Sequence, residues 1–146
     1  MLRDILKHLR GGSGEGESPA EALSTALLLI ELARADFDFD DSEHDAIVAS
    51  LAQRYALTRA DAERLLQEAR DHAREVVSLY DYVKSLNVSL DGSGKRWLME
   101  TLWRVAHADG RVDKYEEQLL RKLAGLLFIS EDDYVRAKLA AAGEGE

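Results

Sequence analysis

Cysteine is absent from the 146-residue chain, which excludes disulfides, thiolate metal sites and thiol catalysis and accords with a reducing compartment. Proline occurs once and 46% of the residues are hydrophobic, so one compact domain can build a core that needs no covalent staple. Basic residues are in the minority, 19 Lys and Arg against 28 Asp and Glu, for a net charge of −9. Neutralising phosphates needs clustered cations, so no nucleic-acid partner is expected; cations and basic protein surfaces are. No apolar run approaches the ~20 residues that span a bilayer, the best being 26–30, and residues 1–10 lack a signal-peptide core. The expected location is therefore the cytoplasm. Sustained alternation of period two is missing, so no sheet is expected. Also missing are G-x-S-x-G, H-E-x-x-H and a phosphate-cradling glycine loop, since Gly92-Ser93-Gly94-Lys95 lacks the P-loop spacing.

What is present is helical patterning. Leu2, Ile5, Leu6 and Leu9 form one apolar stripe over residues 1–10, a short amphipathic helix suited to docking on the core, to a partner, or to peripheral contact with a membrane surface. Residues 11–18, Gly-Gly-Ser-Gly-Glu-Gly-Glu-Ser, have the composition of a flexible linker. The helical body then occupies 19–142, followed by a polar tail at 143–146. Ser18, Pro19 and Glu21 combine an N-cap, a first-turn proline and a capping-box acid, which predicts a helix to about residue 35. Further helices are expected from 40 to 56, from 58 to 87 as one long element, from Trp97 to Asp109 after a break at 89–94, from Asp113, and as a short last one from Ser130. The long element carries Leu65, Ala69, Ala73, Val76, Tyr80 and Val83 along one face. The fold class is thus all-α, a single bundle of about seven helices.

One acidic signature occurs twice. Ala35-Asp36-Phe37-Asp38-Phe39-Asp40-Asp41-Ser42-Glu43 and Ala108-Asp109-Gly110-Arg111-Val112-Asp113-Lys114-Tyr115-Glu116 both read A-D-x-x-x-D-x-x-E. Apolar helical stretches flank each copy, and after a one-residue slip Ile47, Val48, Leu51, Leu57 and Thr58 fall on Leu119, Leu120, Leu123, Ile129 and Ser130. A duplicated helix-loop-helix unit, packed about a pseudo-twofold axis, accounts for this pattern.

The string Leu29-Ile30-Glu31-Leu32-Ala33-Arg34-Ala35-Asp36, with 102–117 and its Ala106-His107-Ala108-Asp109-Gly110 run, resembles the TerB family of tellurite-resistance-associated proteins over roughly residues 20–140. The resemblance implies an all-helical fold, a bacterial cytoplasmic setting, and divalent-cation binding by the acidic loops in a stress response. It carries Asp36, Asp40, Glu43, Asp109, Asp113 and Glu116 over as metal-binding positions. The first loop has Phe37 where the second has Gly110, a departure from the Asp-Gly pair of the family pattern.

Residue chemistry leaves two readings of these acids. Asp36, Asp38 and Asp40 have the spacing of calcium-loop ligands, yet the EF-hand frame fails, with Asp41 at its sixth position and Ile47 at its twelfth, and Leu120 at the twelfth of the second loop. A calcium or magnesium site would have to join a helix-end carboxylate to the cap and first-turn acids of the next helix. Alternatively, Asp40 and Asp113 are plain N-caps, and Glu43 and Glu116 complete capping boxes without any metal. Asp36 and Asp109 fit capping less well, because a negative charge at a helix C-terminus is disfavoured by roughly 0.3–1 kcal/mol. His44 and His107 adjoin the loops at non-corresponding positions, as solvated or supporting histidines. Trp97, Trp103, Tyr55 and Tyr80 are expected at the core or its edge, with polar tips reaching water.

Three functions follow: a metal-responsive helical module acting through protein partners, a metal-independent adaptor, and a metal-dependent hydrolase, which no accompanying nucleophile or base supports. The glycine-rich linker decouples residues 1–10 from the body. Deleting residues 1–16 is accordingly expected to leave the melting temperature nearly unchanged in a calorimetric scan.

Overall fold

A computed structural model describes residues 19–35, 41–73, 79–108, 112 and 114–144. The helix and linker expected over 1–18 lie outside the described residues, as do 36–40, 109–111 and 113 of the acidic loops. Among the described residues there are seven helices and no strand: α1 (Pro19–Ala35), α2 (Asp41–Arg54), α3 (Arg59–Ala73), α4 (Leu79–Ser89), α5 (Gly92–Ala106), α6 (Lys114–Leu126) and α7 (Glu131–Glu144). The all-α expectation holds, with three adjustments. The long helix expected over 58–87 is described as α3 and α4, with residues 74–78 between them outside the described residues. The last helix is not short and takes in the first two residues of the expected tail. The expected break at 89–94 narrows to Leu90 and Asp91, and residues 92–94 open α5.

α1 is apolar nearly all round and is therefore buried nearly all round. Ala22, Ala26, Leu27, Leu28, Leu29, Ile30, Leu32 and Ala33 are all inaccessible to solvent, and the helix packs against α2, α3, α4, α5 and α6. α4 contributes Val83, Leu86 and Leu90 to this core, while Tyr80, expected on the same stripe, is 62% exposed. α5 begins at Asp91, whose extended backbone and side chain cap the helix by accepting from Gly94 N–H at 2.8 Å and from Ser93 Oγ at 3.1 Å. These bonds, Gly94 first, hold the Asp91 carboxyl below its ordinary range.

The duplication seen in the sequence is present in the elements and their caps. α1 and α5, and α2 and α6, begin 73 residues apart, whereas α3 and α7 begin 72 apart; the difference is absorbed because α2 has 14 residues and α6 has 13. Both second helices end in the same way. Ala56 and Phe128 have positive φ, 52° and 56°, and the N–H groups of Leu57 and Ile129 reach back to Ala52 O and Ala124 O at 3.0 and 2.9 Å, the closing bond of a Schellman motif. Thr58 and Ser130 then cap the next helices, each hydroxyl accepting a 3.1 Å bond from the N–H three residues on. Packing pairs also exchange as a pseudo-twofold requires: α1 on α3 corresponds to α5 on α7, and α1 on α6 to α5 on α2.

Gly94 packs tightly on Leu90, just before its own helix, and on Arg54 of the first repeat. A Cβ there would lie 2.9 Å from Leu90 Cδ2 and 3.3 Å from an Arg54 guanidinium nitrogen, whereas at Gly125 it would meet nothing within 4 Å. Overpacking costs about 1–3 kcal/mol and the helix-propensity gain is at most about 1 kcal/mol, so the sign depends on the space. Gly94→Ala is expected to lower stability by about 1 kcal/mol, and Gly125→Ala to raise it by roughly 0.5–1 kcal/mol. Urea unfolding midpoints of the two variants check this.

Candidate functional site

The duplicated acids occupy the loop and first turn ahead of α2 and α6. Asp36, Asp40, Asp109 and Asp113 lie outside the described residues. Glu43 and Glu116 are described, each the third residue of its helix, which is the capping-box position. Each is only 1% exposed, although a first-turn acid on a surface helix ordinarily faces water. In α6 the reason is periodic: Glu116, Leu120, Leu123 and Ala124 form one buried face, so the acid heads the apolar stripe. α2 repeats the arrangement with Glu43, Ile47, Ser50 and Leu51. A carboxylate taken out of water needs hydrogen bonds, a cation or a proton to compensate its charge. Among the described residues no group of three or more His, Asp or Glu side chains could hold a metal, so a cation site on Glu43 or Glu116 has to draw on the loop aspartates. The donors available at either loop are carboxylate oxygens, the kind calcium and magnesium take.

An aromatic cluster stands at the end of α5. Trp103 of α5 meets Tyr134 of α7 edge to face at 5.5 Å and His107 at 5.9 Å between ring centroids. His107 caps α5 with its backbone N–H on Trp103 O at 3.0 Å, two residues before Asp109. Its Nε2, with Trp103 Nε1 and Tyr134 Oη, is enclosed and makes no hydrogen bond among the described residues. His107 is thus not a solvated histidine, and the Trp103 tip does not reach water. Burial pushes the Tyr134 phenol above its ordinary range, against the pull of the Arg121 guanidinium stacked 4.6 Å from its ring.

A second polar cluster, which the sequence did not disclose, lies inside the first repeat. Glu21, expected as a capping-box acid, accepts from Tyr55 Oη at 2.9 Å through Oε2 and from Ser89 Oγ at 3.2 Å through Oε1. With the Tyr55 proton on Glu21, the Thr25 hydroxyl donates to Tyr55 Oη at 2.9 Å. Tyr55 is 1% exposed, so its tip meets Glu21 and Thr25 and not solvent. Burial, foremost, raises its phenol far above the ordinary range. Residues 21, 55 and 89 lie 34 apart, a spacing that matches neither a helical period nor the offset of the two repeats. The one signal was a tyrosine in the helix-ending position where the second repeat has Leu127.

The elements and caps define a duplicated all-helical module whose two acidic first turns are equivalent. A family model described as Tellurite resistance protein TerB matches residues 22–139, and the chain belongs to that family. No curated protein and no solved structure matches it.

Removing a partner from a buried carboxylate costs about 1–3 kcal/mol, whereas an exposed ion pair contributes about 0–1 kcal/mol. Tyr55→Phe is therefore expected to destabilise the fold by about 1–3 kcal/mol, and Arg59→Ala, which breaks the 2.9 Å pair with Asp45 where both side chains are 61% exposed, by well under 1 kcal/mol. Chemical denaturation of both variants, with helicity followed by circular dichroism, provides the comparison.

Proposed function

We propose that this TerB-family protein is a non-enzymatic helical module that binds divalent cations, calcium or magnesium, through its paired acidic loops and acts through protein partners in a tellurite-type stress response in the cytoplasm. The observation that carries the reading is the burial of Glu43 and Glu116 at equivalent positions. Capping alone asks only that an acid reach the start of its helix, and an exposed one does so. Burial in both repeats, next to loops whose remaining acids are aspartates, suits a shared requirement for positive charge. Six acids lie in residues 36–45 without a Lys or Arg among them, and their mutual repulsion is relieved by a cation. Asp36 and Asp109 supply the helix-end carboxylates, Asp40 and Asp113 those of the caps, and Glu43 and Glu116 the first-turn oxygens. A bound cation would neutralise the loop and fix the angle between the helices it joins, α1 to α2 and α5 to α6.

The metal-independent adaptor is favoured by one observation: Glu43 and Glu116 lie in the first described turns of α2 and α6, where a capping-box acid stands without any metal. The two readings part on a thermal shift. Under the cation reading, millimolar calcium or magnesium raises the melting temperature beyond sodium chloride at matched ionic strength, by about 1.4 kcal/mol of stabilisation at ten times the Kd. Asp109→Asn leaves the apo fold intact and blunts the shift, and Asp36→Asn blunts it less because Phe37 replaces glycine there. Full cation-specific shifts in both variants would leave the adaptor, which binds its partners identically with chelator present.

A further inference from the structure

The geometry points to an open groove along α4 as the docking site of the protein's own N-terminal segment, residues 1–10. The groove, about 330 Å³, is lined by Tyr80, Val83, Lys84, Asn87 and Val88 of α4 together with Gly125, Leu126 and Phe128 at the end of α6. Its rim is apolar and open to solvent, Val88 being 84% and Phe128 80% exposed. Phe128 also holds a positive φ of 56°, a conformation costing a bulky residue roughly 1–2 kcal/mol relative to glycine; the equivalent position of the first repeat carries the small Ala56. Lys95 Nζ lies 5.6 Å from the Phe128 ring centroid, and with the residue 80% exposed most of its apolar surface remains uncovered. Asn87 is fixed by donating from Nδ2 to Leu126 O at 3.0 Å, so its side-chain orientation is set. The groove thus offers an apolar rim on a fixed floor.

Where the chain enters the body selects the occupant. Glu21, in the first turn of α1, is bonded to Ser89, the residue after Val88, so residues 1–18 join the body beside the groove's own end. Eight glycine-rich linker residues span about 15 Å as a random coil. The groove follows α4 from Tyr80 to Val88, about 12 Å at the helical rise. The stripe expected from sequence, Leu2, Ile5, Leu6 and Leu9, covers about 10 Å if helical. A ten-residue segment binds weakly by itself, but a short tether holds it at millimolar effective concentration, enough to occupy a weak site without adding much stability. The inference is independent of cation binding.

The absence of cysteine allows a direct test on the full chain, with a nitroxide attached at Lys7→Cys and amide signals read by NMR. Docking in cis predicts loss of peak intensity at Val88, Leu126 and Phe128, and recovery of those peaks when Leu6→Asp is added. Phe128→Gly, which removes the aromatic and suits the positive φ, should restore them as well without impairing the fold. Intensity loss spread evenly or centred elsewhere overturns the proposal, as does no loss at all, which would reserve the groove for another protein's helix. Loss at the same residues in a mixture of labelled unenriched chains with unlabelled enriched ones overturns it in favour of a second copy.

Discussion

The arrangement of the first repeat depends on one buried carboxylate. α1 is enclosed by five other helices, and Glu21 in its first turn cannot reach bulk water; it is compensated by the Tyr55 hydroxyl just past the end of α2 and by the Ser89 hydroxyl at the end of α4. Those two bonds fix where α2 stops and where α4 delivers the chain into α5. They also carry a specificity that hydrophobic contact lacks, because an apolar face tolerates sliding and a buried acceptor does not. In the second repeat the position corresponding to Glu21 is Gly94, and the close approach of Leu90 and Arg54 takes the place of hydrogen bonds.

The repeats have therefore diverged in their interiors while keeping their ends. Schellman closures, hydroxyl caps and buried first-turn glutamates recur, whereas Ile30 and Ala62 of the first half correspond to Trp103 and Tyr134 of the second. The second half thus has an aromatic cluster with cations on its outer side, Arg121 over Tyr134 and Lys138 5.5 Å from the Trp103 ring centre. The first half has an aliphatic and a small residue at the matching positions. Phe37 against Gly110 was one visible sign of this difference, and the interior shows that it extends beyond the loops.

Local signals were the legible ones. Thr58 and Ser130 cap as their side chains suggested, while the predicted caps Asp40 and Asp113 lie outside the described residues. Between α3 and α4 the apolar steps of three and four run on through residues 74–78, outside the described residues, and periodicity does not distinguish one helix from two in succession. Tyr80, on the wrong side of α4, is the residue that breaks the stripe. The start of α5 was missed because Gly92 and Gly94 read as a break, although an aspartate just before them is an N-cap signal. The burial of Glu43 and Glu116 was not legible at all: a capping-box acid looks the same in sequence whether it faces water or core. The bonds joining residues 21, 55 and 89 depend on tertiary placement, which a helical period does not reveal.

The exchange of packing partners between the halves has a consequence for how the domain folds. Because α1 lies on α6 and α5 lies on α2, while each also packs on the third helix of its own half, each half contributes to the core of the other. Removing either half would expose apolar surface of the one that remains. By the same logic, two copies of one repeat could satisfy each other's contacts without α4, which is the geometry of a symmetric dimer. The single chain is in that sense a dimer made permanent by one connecting helix, and the residues that distinguish its halves are those a symmetric ancestor would have been unable to vary independently.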